Sequence, residues 1–365
     1  MDDKPKLTQS RLRGDTEYLR QHPDDTDSPA YHDCLQWRLE HERFLTECLS
    51  LLRKATGGMP EVVCTARLKR MDSILKKIRR SPCSIRDMRD IAGCRVIVPD
   101  MRGLKEARER IEEAFRTESL DSQLKDYISQ PEESGYRSVH WDLRRKGKPC
   151  DRAEVQLRTM KQHLWATTVE TASFLYGTDL KHASELGDDA HGETIVGLLR
   201  DMSLCWIAAD ELGQRPNASD LERFRSELQP ADKLQEIETD EFFTKLRIFA
   251  EELTDISEET ETNSQNDGLY VLTFSPDDNT VRRQTFPMNH VEDAIEAFNQ
   301  AEAAGSVTGR EGIKETAVME YSVLVAAPDE KSLALAYPNY LGGSKACDDG
   351  FSLTKEAALK WIENR

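Results

Sequence analysis

Arg67-x-Lys69-x3-Ser73-x3-Lys77 gathers a guanidinium, two ammonium groups and a hydroxyl in one short stretch. At helical rise Lys69, Ser73 and Lys77 share one face, and that set suits a triphosphate. Taken alone, a solvated basic helix explains it more simply. Asp90 then opens the apolar run "DIAGCRVIV". A carboxylate at a strand entrance, followed by Ala-Gly for close approach, can hold Mg²⁺, although a turn-capping Asp is the plainer account. Arg95, inside that apolar run, needs an anion or an acidic partner.

In "SGYRSVHWDL" the alternation puts Val139, Trp141 and Leu143 on one side of a strand and Ser138, His140 and Asp142 on the other. Gly135 lets Tyr136 swing, and an exposed ring beside cations such as Lys125 is a stacking platform for a base. "EVQLRT" repeats the pattern, with Glu154, Gln156 and Arg158 on one face and Val155 and Leu157 in the core. Polar side chains in a row are costly to bury and line a cleft. Glu154 can complete a Mg²⁺ site with Asp90 or take a proton from an attacking hydroxyl. Together these groups describe phosphoryl-type transfer: a cationic triphosphate cradle, paired carboxylates and an aromatic shelf for a second nucleotide.

The elements that position them follow from periodicity. Residues 1–30 look poorly ordered, with the polar, Pro-punctuated "QHPDDTDSP" as a boundary. A helix is predicted over 31–55, with Leu45, Leu49 and Leu52 at helical spacing. "EVVCTARLKRMDSILKKIRR" starts extended and becomes a basic helix, a strand covers 90–100, and an amphipathic helix covers 102–116. Strands near 138–144 and 152–158 are joined by the basic turn "RRKGKPCD", and helices follow over 160–176 and 192–212. Strands interleaved with helices imply a mixed α+β sheet covered by helices over 31–215. An acidic helical connector (216–265) leads to a small α+β unit (266–365) with a hairpin, a helix over 290–304, the strand "EYSVLVAA" and two further helices near 329–341 and 353–364.

Charge is unevenly distributed. Residues 1–200 hold 35 Lys and Arg against 34 Asp and Glu, and residues 201–365 hold 15 against 33. Residues 51–161 alone carry 26 against 17, a local excess that suits a polyanion. No apolar run is long enough to span a membrane. The start lacks a signal peptide's apolar core, and the eight Cys include no CxxC pair, so free thiols in a reducing cytoplasm are expected.

The ordered motifs R-x-K-x3-S-x3-K, D-I-A-G-x-R, K-D-Y-I, G-Y-R-S-V-H and E-V-Q-L-R-T-x3-H-x-W resemble the synthetase domain of the RelA/SpoT family over roughly residues 60–170. The resemblance implies a nucleotidyltransferase-like fold and transfer of pyrophosphate from ATP to a ribose 3′-hydroxyl. It implies that Arg67, Lys69, Ser73, Lys77 and Arg95 contact ATP, and that Asp90 and Glu154 bind Mg²⁺, with Glu154 assisting deprotonation. It also implies that Tyr136 stacks the acceptor base while Lys125, His140, Gln156 and Arg158 shape the cleft. His32-Asp33 is an HD pair, but the rest of a hydrolase metal site is absent from the sequence.

Alarmone-making members carry P-K-x-N-G-Y where this chain has "PEESGY". Glu132 and Glu133 would repel an acceptor's diphosphate by up to ~1 kcal/mol per exposed contact. The later W-A-x-x-E-H pattern is altered to "WATTVET", with Glu170 one residue further on. Both departures resemble the toxic small synthetases that modify the 3′-terminal adenosine of tRNA. Arg79, Arg80, Arg144, Arg145 and Lys146 would then hold the acceptor stem by charge. "YPNY" (Tyr337 to Tyr340) resembles the YxxY pair of fused toxin–antitoxin synthetases of the CapRel type. That resemblance implies that Tyr337 and Tyr340 hold the enzyme closed at the adenine site until a phage protein, expected to be a capsid protein, engages the C-terminal unit. Two tyrosines packing around a Pro-Asn turn is the plainer alternative. Only Cys347 and His290 follow residue 206, so no structural zinc is expected, and a monomer is compatible with the sequence. The expected function is therefore a self-inhibited tRNA pyrophosphotransferase of anti-phage defence. A small synthetase making (p)ppGpp or (p)ppApp, and a degenerate nucleotide sensor, are the alternatives.

Overall fold

The structure is a computed structural model that describes residues 7–176, 180, 190–203, 254–258, 268–275, 280–308 and 321–337. Alternating apolar residues build strands β1 (Val63–Leu68), β2 (Ala92–Val98), β4 (Val139–Arg144) and β5 (Arg152–Thr159). β3 (Asp121–Asp126) is polar and exposed, and its sequence gave no strand signal. β6 (Thr254–Glu258), β7 (Gly268–Ser275), β8 (Thr280–Pro287) and β9 (Tyr321–Ala327) follow. All nine lie in one mixed sheet, ordered β3-β4-β5-β2-β1-β9-β7-β8-β6. β2–β5 and β6–β8 are parallel and the other neighbours antiparallel.

One face of the sheet is dry. Ala66, Leu68, Cys94, Val96, Trp141, Val155, Leu157, Val271 and Leu324 pack there against helices α3 (Glu42–Ala55), α5 (Met101–Thr117) and α8 (Val291–Thr308). The opposite face carries the polar side chains, flanked by α6 (Met160–Tyr176), α7 (Ala190–Met202) and the short α9 (Glu330–Ala336). The expected α+β fold, a mixed sheet flanked by helices, is the one found.

Several local expectations are corrected. Residues 9–21 are not disordered: they form α1 (Gln9–Gln21), capped by Thr8 and burying Leu12, Thr16 and Leu19. The single helix expected over 31–55 is two, α2 (Pro29–Leu39) and α3, because each half serves a different core. Cys34 and Trp37 pack with α1 and with α4 (Met71–Arg80), whereas Phe44, Leu45 and Leu49 pack under the sheet. Arg11 pairs with Asp33, and His32 meets the Ser28 carbonyl at 2.9 Å, so the HD pair is absorbed in packing. Lys69 precedes α4 rather than sharing its helix face, its N–H donating to the Ile91 carbonyl at 2.8 Å. The connector (216–265), apart from β6, and the helix near 353–364 lie outside the described residues.

The expected C-terminal unit is continuous with the rest. Ala66 pairs with Ala326 and Arg67 with Val325, so β9 extends the sheet beyond β1. Leu269, Val271, Ala294, Phe298, Leu324 and Ala326 belong to the same core cluster as Trp141 and Val96. We expect Phe298→Ala, at a fully buried position, to cost about 3–5 kcal/mol in urea unfolding. Probes placed in residues 63–159 and in the C-terminal segment should fall in one transition.

Candidate active site

The polar face places the predicted residues side by side. Pairing sets Arg67 opposite Gly93, Gly93 beside Glu154, and Arg95 beside Gln156, with His140 opposite Gln156 on the far side. Gly93 leaves room between Arg67 and Glu154, and a side chain there would meet Arg67 itself. Lys125 faces His140 from the exposed β3. Ser73 and Lys77 project from the first turns of α4.

Asp90 is clasped by two ammonium groups: Lys69 donates to Oδ2 at 3.0 Å and Lys77 to Oδ1 at 2.8 Å. Burial opposes its charge, but the two lysines outweigh burial and hold the carboxyl well below the usual range. Burial likewise depresses the Lys69 ammonium, with Asp90 opposing.

Glu154 sits in a closed hydrogen-bond ring. Gln156 Nε2 donates to Glu154 Oε2 at 2.6 Å, and Arg158 donates to Gln156 Oε1 at 2.6 Å and also to the Tyr136 hydroxyl. That hydroxyl lies 2.6 Å from His140 Nε2, and His140 Nδ1 lies 3.4 Å from Glu154 Oε1. The hydroxyl thus bridges Arg158 and His140, and the other imidazole nitrogen, Nδ1, faces Glu154. Burial pushes the Glu154 carboxyl up, but His140 and Gln156 prevail and bring it to about 2.

Tyr136 is not the exposed shelf expected from its neighbours. It is 8% exposed, packed with Trp165, Val169, Ile195 and Leu199 under α6 and α7, with the Arg158 guanidinium 5.0 Å from its ring centre. Gly135 has φ +88°, and a Cβ there would stand 2.8 Å from Ser203 Cβ. Glycine is thus required both by the turn and by the seating of α7. Of the nearby cations, Arg158 donates to the Tyr136 hydroxyl, while Lys125 stays exposed on β3.

Arg95 meets the C-terminal segment. Its Nη1 donates to the Ala336 carbonyl at 3.1 Å, and its guanidinium lies 5.6 Å from the centre of the Tyr337 ring. His163 lies 3.0 Å from the Leu335 carbonyl, so two cleft side chains hold the end of α9. Tyr340 lies outside the described residues. Among the expected stem contacts, Arg79, Arg80 and Lys146 are exposed. Arg144 pairs with Asp121 at 2.8 Å, and Arg145 is engaged by Glu47 and Asp151 and stacked over Phe44. His163 and Glu170 were not singled out as site residues. Seven positions apart on α6, they share a helix face, and that spacing was the available signal. Glu170 acts electrostatically on Arg67, Arg95 and His163.

Two ionised carboxylates that sense each other suit Mg²⁺, which takes one or two protein carboxylates together with substrate phosphates. Among the described residues no group of three or more His, Cys, Asp or Glu forms a fuller cage. Arg95 Nε and Arg158 Nε and Nη1 are buried donors without a protein partner, as befits a site built for anions.

Comparison with known proteins agrees with this geometry. Residues 66–181 match the profile of the region found in RelA / SpoT proteins. An uncharacterized protein of Mycobacterium tuberculosis is 28% identical over 186 residues, covering 48% of this chain and 64% of that protein, so the match spans less than two thirds of the relative. The GTP pyrophosphokinase YjbM of Bacillus subtilis is 29% identical over 147 residues, covering 38% of this chain and 69% of YjbM. Among solved structures, small alarmone synthetase 1 of Bacillus subtilis bound to pppGpp is similar at 21% identity and a TM-score of 0.37, covering 53% of this chain and 97% of that one. Residues 66–181 thus match the region found in RelA / SpoT proteins, and the mixed sheet flanked by helices is consistent with that match. No helix among the described residues is long and apolar enough to cross a membrane.

The depressed Glu154 carboxyl has a measurable consequence. Its folded state binds a proton less readily than its unfolded state, so its contribution is complete above pH 4.5 and fades as pH falls toward 2. The whole effect is at most about 3 kcal/mol. We expect His140→Ala to move the Glu154 carboxyl upward in a carbon-13 NMR titration.

Proposed function

We propose that this protein is a pyrophosphotransferase that uses ATP as donor and a ribose 3′-hydroxyl as acceptor. The observation that carries the reading is the convergence of Lys69 and Lys77 on Asp90 at the entrance of β2, next to the sheet face that carries Arg67, Arg95 and Glu154. Lys69, Ser73 and Lys77 would grip the triphosphate, with Arg67 and Arg95 on the adenosine side. Mg²⁺, held by Asp90 and Glu154, would supply charge neutralisation at the phosphates. The 3′-oxygen attacks the β-phosphorus, the bond from that phosphorus to the oxygen bridging to the α-phosphate breaks, and AMP leaves. Glu154 takes the hydroxyl proton.

The acceptor we favour is the 3′ end of tRNA. Glu132 and Glu133 stand exposed just before Gly135, where a free diphosphate would be repelled, and exposed Arg79, Arg80 and Lys146 offer phosphodiester contacts. The likeness to YjbM favours a guanosine nucleotide instead, as a small alarmone synthetase would use. We further propose that the C-terminal segment restrains the enzyme. Tyr337 lies against Arg95, the end of α9 occupies Arg95 and His163, and Tyr136 is roofed by α7. Release by a phage protein, with a capsid protein the expected trigger, would free both nucleotide positions and block translation.

Incubation with ATP labelled at the γ-phosphate, with either tRNA or GDP and GTP, tests the reading. Label should reach tRNA and be lost at least a hundredfold in Glu154→Ala, in the range expected for a general base. Label on free guanosine nucleotide would establish the alternative acceptor. Tyr337→Ala should raise transfer and make expression toxic unless Asp90 or Glu154 is also replaced. Unchanged growth and rate would contradict the restraint.

A further inference from the structure

α8 does more than cover the sheet. Ala294, Phe298 and Glu302 fall four residues apart along one face, and Glu302 ends that stripe against α2 and α4. Arg38 of α2, fully buried, donates from Nη1 to Glu302 Oε2 at 2.6 Å and from Nη2 to Asn299 Oδ1 at 2.8 Å. Its guanidinium lies 4.9 Å from the centre of the Phe298 ring, and Nη1 also reaches the Lys69 carbonyl at 3.4 Å. The other oxygen, Glu302 Oε1, accepts the Met71 N–H at 2.9 Å.

Met71 is the first residue of α4, whose N-terminal flank, Arg70, provides no side-chain cap. A helix start has unsatisfied amides and the positive end of its dipole, and a carboxylate there both caps and orients the helix. The helix so capped carries Ser73 and Lys77, and the residue whose carbonyl Arg38 holds is Lys69. One carboxylate from residue 302 therefore sets the strand-to-helix joint of the triphosphate cradle, in a buried ion pair that leaves little play.

We propose that Glu302 is a positioning residue for the ATP site, so that the C-terminal segment is part of the working enzyme as well as its restraint. This rests on the ATP-binding reading above. It gives opposite signs to two residues of the same segment: loss of Tyr337 activates, and loss of Glu302 disables.

The test uses the full chain carrying Tyr337→Ala, in which the nucleotide position is free. A non-hydrolysable ATP analogue is titrated by calorimetry into this parent and into its Glu302→Ala and Glu302→Gln derivatives. Hydrogen exchange at the amides of residues 71–74 and thermal unfolding are followed in parallel. We expect Glu302→Ala to weaken the analogue about tenfold, as for one lost charge-assisted hydrogen bond, and to speed exchange at those amides. Glu302→Gln, which keeps an acceptor for the Met71 N–H without the ion pair, should recover part of both effects. If Glu302→Ala does not fold, Glu302→Gln alone decides: affinity and exchange equal to the parent's overturn the proposal. A lower unfolding temperature with unchanged affinity marks a merely structural contact and overturns it too. A parent that binds no analogue sinks the ATP reading, and unchanged exchange at residues 71–74 then separately refutes the positioning of α4.

Discussion

Two residue pairs, Ala66 with Ala326 and Arg67 with Val325, join the halves of the sheet. What the C-terminal segment presents to the polar face depends on that seam. Pairing fixes strand direction and the side to which each residue points, and a one-residue slip would turn every side chain over. With this register Val325, Tyr270 and Val63 lie on the same side as Arg67 and Arg95, and the apolar patch they form seats α9 and Tyr337. α9 and Tyr337 reach the cleft because a strand, β9, delivers them.

The cleft is also an electrostatic problem with two solutions. Arg67, Arg95, Arg158 and His163 crowd together, and burial lowers Arg95 and His163 while their neighbours add like charge. Such a group is costly without anions. Here the relief comes from inside the chain: carbonyl oxygens of Leu335 and Ala336 at the negative end of α9, the Tyr337 ring, and Glu170. A phosphate-bearing ligand relieves the same strain with full charges. Under the proposed restraint the two solutions would compete for the same donors, and a tight intramolecular plug would defeat release.

How much of this could be read from the residues varied with the kind of signal. Alternation in "SVHWDL" and "EVQLRT" settled which side chains face the cleft, because a half-buried strand has a period of two and no other way to satisfy it. Lys69, Lys77 and Asp90 were each picked out by type and spacing, but the ion pairs that join them were not. What eluded the sequence was everything fixed by distant contacts. Tyr136 is buried because α7, some sixty residues later, needs Gly135 beneath Ser203. The split between α2 and α3 reflects two cores whose existence depends on α1 and α4. The exposed β3 is polar but for Leu124 and is held as a strand by pairing with β4, not by its own residues. Local patterns report faces; tertiary pairing decides exposure.

The same reasoning explains why the C-terminal segment resists description as a detachable module. A releasable inhibitor would bury a modest, polar surface, since inter-domain contacts that open resemble transient interfaces. Instead Leu269, Val271, Phe298 and Leu324 are part of the central core, and the fully buried Arg38 depends on Glu302 and Asn299 for its charge. Removing the segment would leave a buried guanidinium without a counter-ion and an apolar strand edge in water, each costing several kcal/mol. Motion that frees the cleft is therefore cheapest at α9, a seven-residue helix held by Leu333 and Ala336 on the apolar patch, the Arg283–Glu330 ion pair and its contacts with Arg95 and His163, while β9 and α8 stay in place.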